Sequence, residues 1–333
     1  MDNNLLQQES VKLSPLKQIN FKTLSLKYGV VVAFLTLIVV SSFLYTGFLN
    51  PTNIFNMLSQ LAIIGIMAAG MTYVMITGGL DMSVGGIYAA TAVVAASLVD
   101  TSSILVAVLV GLCVGLVSGL INGVLVTTLK VPPFVATLGT GSVFTGFALV
   151  YSNAQPFFVK NPDYKFFGSH YIGAIPVSVI IMFGIFIILG ISLAYTLYGK
   201  SLYAVGGNKE ASHLAGLKTN KLILSTYMIS GLCASISGII LSSRLAQGQA
   251  NIGASITLDV IAAVVIGGTS LSGGQGAIWR TFIGGSILIM ISNVLDSLSI
   301  SSYWQQIFKG SIIIIAVMID FYGRNYLQNK GGS

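Results

Sequence analysis

Two acids stand where the sequence should tolerate none. Asp81 lies within ITGGLDMSVGG (Ile76–Gly86) and Asp259 within LDVIAAVVIGG, each with apolar residues on both sides. A carboxylate inside a hydrocarbon layer is costly, so it faces a cavity, pairs with a partner, or ties down a helix break. For Asp81, flanked by paired glycines, capping the next helix or fixing a broken-helix geometry outweighs contact with a solute by roughly two to one. Asn53, Asn56 and Gln60 add a polar stripe at helical spacing, which aims amides at a bundle interior or a pore. Asn122 is placed to hydrogen-bond between helices. Asn56, Gln60, Asp81, Asn122 and Asp259 are therefore the candidates for a translocation path or gate. Catalysis is not expected. His170 and His213 stand alone, and Cys113 and Cys233 sit in apolar runs without metal-like or redox-like spacing, so no metal site is expected either.

The elements that position these groups follow from composition. The 333 residues are 54% hydrophobic and only 8% charged, with a mean hydropathy of +0.89. Such a chain is not a water-soluble globule. At about 20 apolar residues per span, its length suits an all-α polytopic membrane protein with roughly ten transmembrane helices. The spacing predicts spans at about 28–48, 54–77, 82–99, 104–128, 134–151, 177–198, 222–242, 257–271, 277–297 and 305–322. The stretch at 257–271 is short enough to be a broken or re-entrant helix. A single membrane domain over 28–322 would then lie between cytoplasmic tails at 1–27 and 323–333, and no cleavage site marks the first span as a signal peptide.

The net charge of +7 belongs to membrane orientation and not to nucleic acid, because the basic residues fall at the ends of apolar runs. With the N-terminus inside, the lysines of both tails, Lys130, Lys200, Lys209, Lys218, Lys221, Arg280 and Arg324 share the cytoplasmic face. Lys160, Lys165 and Arg244 fall outside, and Lys309 lies near the outer end of the last span.

Gly111, Gly115, Gly119 and Gly123 recur at every fourth residue and form a smooth ridge for close helix packing. Residues 152–176 form a long outer loop ordered by prolines and aromatic rings. It reads equally well as a docking or gating surface and as an interfacial cap. Leu80-Asp81 and Leu258-Asp259 both open glycine-containing apolar segments, a weak echo of an inverted repeat. Leu271–Gln275 spells LSGGQ, a signature of nucleotide-binding ATPases. That motif needs a soluble nucleotide domain with a phosphate-binding loop, which this chain lacks, so the match reads as coincidence.

One stretch differs from everything around it. Gly199–Lys221, GKSLYAVGGNKEASHLAGLKTNK, is a polar island between apolar halves. Asn208 suits a helix N-cap, Glu210 suits the first turn, and Gly216 suits the left-handed position after the helix. These features predict a short, rigid, soluble knob. It could be an ordinary cytoplasmic loop, or an element held by an aqueous partner.

At these residues the chain resembles a known family. ITGGLDMSVGG, NGVLV (Asn122–Val126), VPPFVATLGT (Val131–Thr140), AVGGNKEASHLAG (Ala204–Gly216), LDVIAAVVIGGTSLSGGQG (Leu258–Gly276) and SYWQQIFKGSIIIIAVMID (Ser302–Asp320) match in order the membrane permeases of ABC importers for ribose, galactose, xylose and related sugars. The resemblance implies a fold like that of the cobalamin permease and a glycine-rich turn at the LSGGQ position. It also implies a second permease copy or paralogue, a separate ATPase with two fused ATP-binding halves, and a periplasmic or lipid-anchored sugar-binding protein. ATP and Mg would bind the ATPase, leaving this chain without a cofactor. Family permeases carry a cytoplasmic E-A-A-x-x-x-G helix that seats in the ATPase. Here it reads Glu210-Ala211-Ser212-His213-Leu214-Ala215-Gly216, with Ser212 in place of the second alanine, and Gly206, Gly207 and Asn208 lead into it.

The expected function is the pore subunit of a monosaccharide importer in the bacterial inner membrane, working by alternating access, in contact with lipid and not with nucleic acid. A nucleoside or an autoinducer sugar derivative would suit the same pore. An ion-coupled secondary transporter, with Asp81 or Asp259 carrying the ion, is the reading from another class.

Overall fold

A computed structural model describes residues 21–312, 314, 315 and 318. Most of the expected tail at 1–27, and all of that at 323–333, lies outside them. The chain runs α1 (Phe21–Leu44), α2 (Pro51–Ile76), α3 (Val84–Val99), α4 (Ile104–Thr127) and α5 (Pro133–Tyr151). After a connecting segment containing α6 (Phe166–Ser169) come α7 (Val177–Tyr195), α8 (Leu197–Gly207), α9 (Lys209–Leu214), α10 (Thr219–Leu245), α11 (Gly253–Ile266) and α12 (Ile278–Ser297). Residues 302–312 are helical as well, forming α13.

The helices start where the sequence supplies caps. Asn50 accepts from the Thr52 amide (2.9 Å), with Pro51 in the first turn. Ser103 accepts from the Val106 amide (3.3 Å) at the start of α4. Proline suits a first turn because it has no N–H to leave unpaired there.

The protein is an all-α polytopic membrane protein. Six helices, α2, α4, α5, α7, α10 and α12, are long and apolar enough to cross a membrane, while α1, α3 and α11 carry shorter apolar segments. These six are counted among the described residues, and part of the expected span at 305–322 lies outside them. In α2 and α10 67% of the most apolar window is buried, against 22% in α5, so α2 and α10 form the centre and α5 the rim. The Ser237 hydroxyl of α10 donates to the Ile63 carbonyl of α2 (2.9 Å). At the crossing, Gly70 leaves no room for a side chain beside Ser230 and Cys233.

Two helices differ from expectation. At about 1.5 Å per residue, α3 and α11 reach only about 24 Å and 21 Å, short of a roughly 30 Å hydrocarbon layer. They meet start to start, Gly85 and Gly253 each pressed against the other's carbonyl. The stretch expected to be helical at 257–271 is instead helical from Gly253 to Ile266, followed by a loop. Leu80-Asp81 precedes α3, whereas Leu258-Asp259 lies inside α11. The two pairs therefore do not occupy equivalent places in the two helices.

The segment between α5 and α7 is pinned down. Phe157 and Phe158 pair antiparallel with Gly248 and Gln247, and the Asp100 carboxylate accepts from the Lys160 and Asn161 amides. The buried Tyr164 hydroxyl meets Ser242 Oγ at 2.6 Å, and the Gly168 amide donates to Ser243 (2.9 Å). The segment is a cap fastened to α3 and α10.

Candidate functional site

The polar island folds into the expected knob. Thr196 accepts from the Gly199 amide (3.2 Å) and starts α8. The Asn208 side chain accepts from the Ala211 amide (2.9 Å) and starts α9. Gly216 takes φ +87°; its amide donates to the His213 carbonyl and the Leu217 amide to the Ser212 carbonyl. This paired closure satisfies two end carbonyls and stiffens a helix too short to be stable alone. Ser212 faces inward. Lys209, Glu210, Ala211 and His213 face out, and Leu214 at the tip is 87% exposed.

The knob is joined to the bundle backbone to backbone. Gly206 lies so close to the Ile76 carbonyl, the end of α2, that a methyl group would overlap it, and its Cα faces the Gly274 amide. That amide donates to the same Ile76 carbonyl (2.8 Å). The Tyr203 hydroxyl of α8 donates to the Gly276 carbonyl (2.7 Å) just before α12. Burial raises the Tyr203 pKa above its ordinary 10, the Arg280 charge opposing, so the phenol stays a donor. One junction thus joins α8, the end of α2 and the loop into α12.

The LSGGQ segment is that loop. Gly273 and Gly274 take φ +87° and +73°. The Ser272 amide donates to Ser270 Oγ, the Gly273 amide to the Ser270 carbonyl and the Gly274 amide to Ile76. The amides that would hold a phosphate are spent within the protein, so the motif is a structural turn.

Within the membrane region, Asp81 and Asn122 come together. Asp81 is fully buried and accepts from the Ser83 amide (3.0 Å), the Ser83 hydroxyl (2.5 Å) and the Ser230 hydroxyl (2.8 Å). Asn122 donates to Ser83 (2.7 Å) and accepts from Thr140 (2.6 Å). Donation runs from Thr140 through Asn122 and Ser83 to Asp81, which Ser230 meets from the other side. The network thus links α5, α4, the break before α3, and α10. This geometry fits the tie at a helix break. Sequence reading passed over Ser83, Ser230 and Thr140, although a hydroxyl two residues after a buried acid at a helix start is a recognisable cap pattern. All four ridge glycines are buried, and Gly115 and Gly119 press directly on the α10 backbone at Gly231 and Tyr227.

The other candidates lie elsewhere. Asn53 exchanges amide hydrogen bonds with Asn293 of α12 (2.8 and 3.1 Å), whereas Asn56 and Gln60 are exposed. Asp259 pairs with Lys309 at 3.1 Å, holding α11 to α13. Replacing Lys309 by methionine leaves the half-buried carboxylate unpaired and is expected to cost about 1–2 kcal/mol. Adding Asp259→Asn should recover most of that loss. Thermal midpoints of the three variants decide it, and a double variant worse than the single one would contradict a simple pair.

Comparisons with known proteins agree with the resemblance. Residues 53–317 match the family described as branched-chain amino acid transport system / permease component. The ribose import permease protein of Bacillus subtilis is 44% identical over 307 residues, 91% of this chain and 95% of that protein. The ribose import permease protein of Escherichia coli K12 is 41% identical, covering 87% of this chain and 92% of that protein. The L-arabinose ABC transporter permease protein of Azospirillum brasilense is 33% identical, covering 89% and 88%. No solved structure matches. With a family match over most of its length and these relatives spanning nearly all of it, the chain belongs to the membrane permease components of ABC sugar importers.

Proposed function

We propose that this chain forms the pore for a monosaccharide of the ribose class and that ATP drives it through the knob. The observation that carries the reading is the junction at Gly206. A stiff, capped, exposed element is locked by backbone contact to the end of α2 and to the loop before α12. ATP-driven movement can bias a pore only through an element that touches both parts and does not yield. Family membership implies an ATPase and a substrate-binding protein as partners. In this reading the ATPase holds ATP and Mg, has two fused halves and seats α9, with Glu210, Ala211 and Gly216 at the contact. The expected contact residue Ser212 is buried on the inward face of α9 instead. A second permease copy or paralogue completes the pore. The knob and both chain ends face the cytoplasm, following the distribution of lysine and arginine. Solute choice resides largely in the binding protein.

The test is uptake into vesicles holding this chain, its ATPase and its binding protein, with ribose, arabinose, allose and galactose compared. Uptake that needs internal ATP and survives a protonophore supports the reading; collapse with the protonophore while ATP is maintained points to ion coupling. Gly216 isolates the knob's part. A side chain there has open space but must adopt φ +87°, which costs a β-branched residue about 1–3 kcal/mol. Gly216→Val is expected to release the ATPase on purification while the bundle stays folded. Gly216→Asn, which tolerates this backbone, should retain it. Equal ATPase retention by both variants would count against the coupling role.

A further inference from the structure

Beside the knob lies an apolar groove whose walls at Phe183, Ile187 and Trp279 are open to the surroundings of the bundle. It has a volume of about 480 Å³ and runs between α7 and α12, with Phe183, Phe186, Ile187, Trp279 and Phe282 along its walls and Tyr203 of α8 at its knob end. Phe282 packs against Phe183 and Phe186, each with ring centroids 5.7 Å away, so the walls are ordered. Trp279 is half exposed, as an indole at the boundary between lipid and water is.

A cation sits at the same end. The Arg280 guanidinium lies 5.3 Å from the centre of the Trp279 ring, and its buried Nε has no hydrogen-bond partner. The ion pair found among the described residues is Asp259–Lys309, so no carboxylate there neutralises Arg280. A buried, unpaired guanidinium nitrogen is expensive unless an acceptor is supplied. An apolar slot along two spanning helices, an interfacial tryptophan and an uncompensated arginine at the polar boundary fit a molecule with an acyl chain and an anionic head.

We propose that this groove is a binding site for an anionic phospholipid, with an acyl chain between α7 and α12 and the phosphate held by Arg280. The site abuts the junction at Tyr203 and Gly276, so an occupied groove would brace α12 against the knob. The proposal requires only that the bundle lies in a membrane and not that the knob couples to an ATPase.

The sequence offers a direct probe, because it holds 2 tryptophans, Trp279 and Trp304. In a Trp304→Phe background, quenching by chain-brominated lipid in mixed micelles reports contact at Trp279. Brominated phosphatidylglycerol is expected to reach half-quenching at about one-fifth the mole fraction of brominated phosphatidylcholine, the factor one basic residue confers. Arg280→Gln should bring the two lipids level, while Arg280→Lys keeps part of the preference. Gly190→Leu fills the groove, because a side chain there meets only Ile278 at 4.0 Å, and it should suppress quenching by both lipids. Equal quenching by the two lipids in the parent protein would overturn the proposal, as would an unchanged preference in Arg280→Gln. Absence of quenching, with Trp279 shielded by a second copy of the chain, would overturn it as well. If Arg280→Gln does not fold, loss of the phosphatidylglycerol preference in high salt replaces it.

Discussion

Gly206→Ala is expected to disable uptake, whereas Gly207→Ala should leave it intact. The two glycines are neighbours at the end of the same helix, so propensity treats them alike. In each case alanine would favour the helix by up to about 1 kcal/mol. Tertiary contact separates them. A methyl group at Gly207 meets nothing within 4 Å, while at Gly206 it overlaps the Ile76 carbonyl and stands 2.6 Å from the Gly274 nitrogen. Both obstacles are backbone, so no rotamer change relieves them. Either α8 moves off the end of α2, breaking the hydrogen bond from Gly274 to Ile76, or the loop before α12 moves. Overpacking against fixed backbone lies near the upper end of its usual range, about 3 kcal/mol. At about 1.4 kcal/mol per factor of ten, the intact junction loses ground to a displaced one by roughly a hundredfold. The measurements are uptake in the assembled transporter and the thermal midpoint of the isolated chain. Normal uptake by Gly206→Ala would show that the knob does not act through this junction.

The same contrast shows what could and could not be read from the residues. The knob was legible because each of its controls is local. Asn208, Glu210 and Gly216 act within one turn of the backbone they cap, and the structure places Asn208 and Gly216 in those roles. The glycine ridge on α4 was legible as a packing face but not as a partner. Only the fold says that it meets α10, because a ridge fits any helix that brings a groove to it. The membrane-spanning class followed from hydropathy alone.

Long-range pairing was not legible. Asp81 and Asp259 look alike in sequence, yet one is buried under two serine hydroxyls and the other is half buried against Lys309. Ser230 lies 149 residues from Asp81, and no spacing rule reaches that far. The boundaries of α11 were misread for a related reason. Its apolar run continues into Gly267 and Gly268, and the chain turns there because Gly267 packs against the Arg280 backbone of α12.

Replacing Asp81 should distinguish a structural tie from a transport group. Asp81→Ala removes the acceptor for the Ser83 amide and for the Ser83 and Ser230 hydroxyls, all in fully buried surroundings. An unpaired buried donor costs about 1–3 kcal/mol, so a loss of about 3–4 kcal/mol is expected. Asp81→Asn keeps the shape and one acceptor oxygen, and the serine hydroxyls can turn to accept from its amide. Its expected cost is only about 1–2 kcal/mol. Asn122 reports whether the chain acts as a unit. Ser83 joins Asn122 to Asp81, so the double variant Asp81→Ala/Asn122→Ala should fall short of the summed single losses by about 1 kcal/mol or more. Function then separates the two roles. If Asp81 ties the break before α3 to α10, uptake by Asp81→Asn tracks the amount of folded protein. If Asp81 carries an ion or grips the solute, Asp81→Asn folds normally and uptake is lost, because an amide has no charge to give. The hydrogen bonds to Ser83 and Ser230 occupy both carboxylate oxygens, which leaves the first outcome as the expected one.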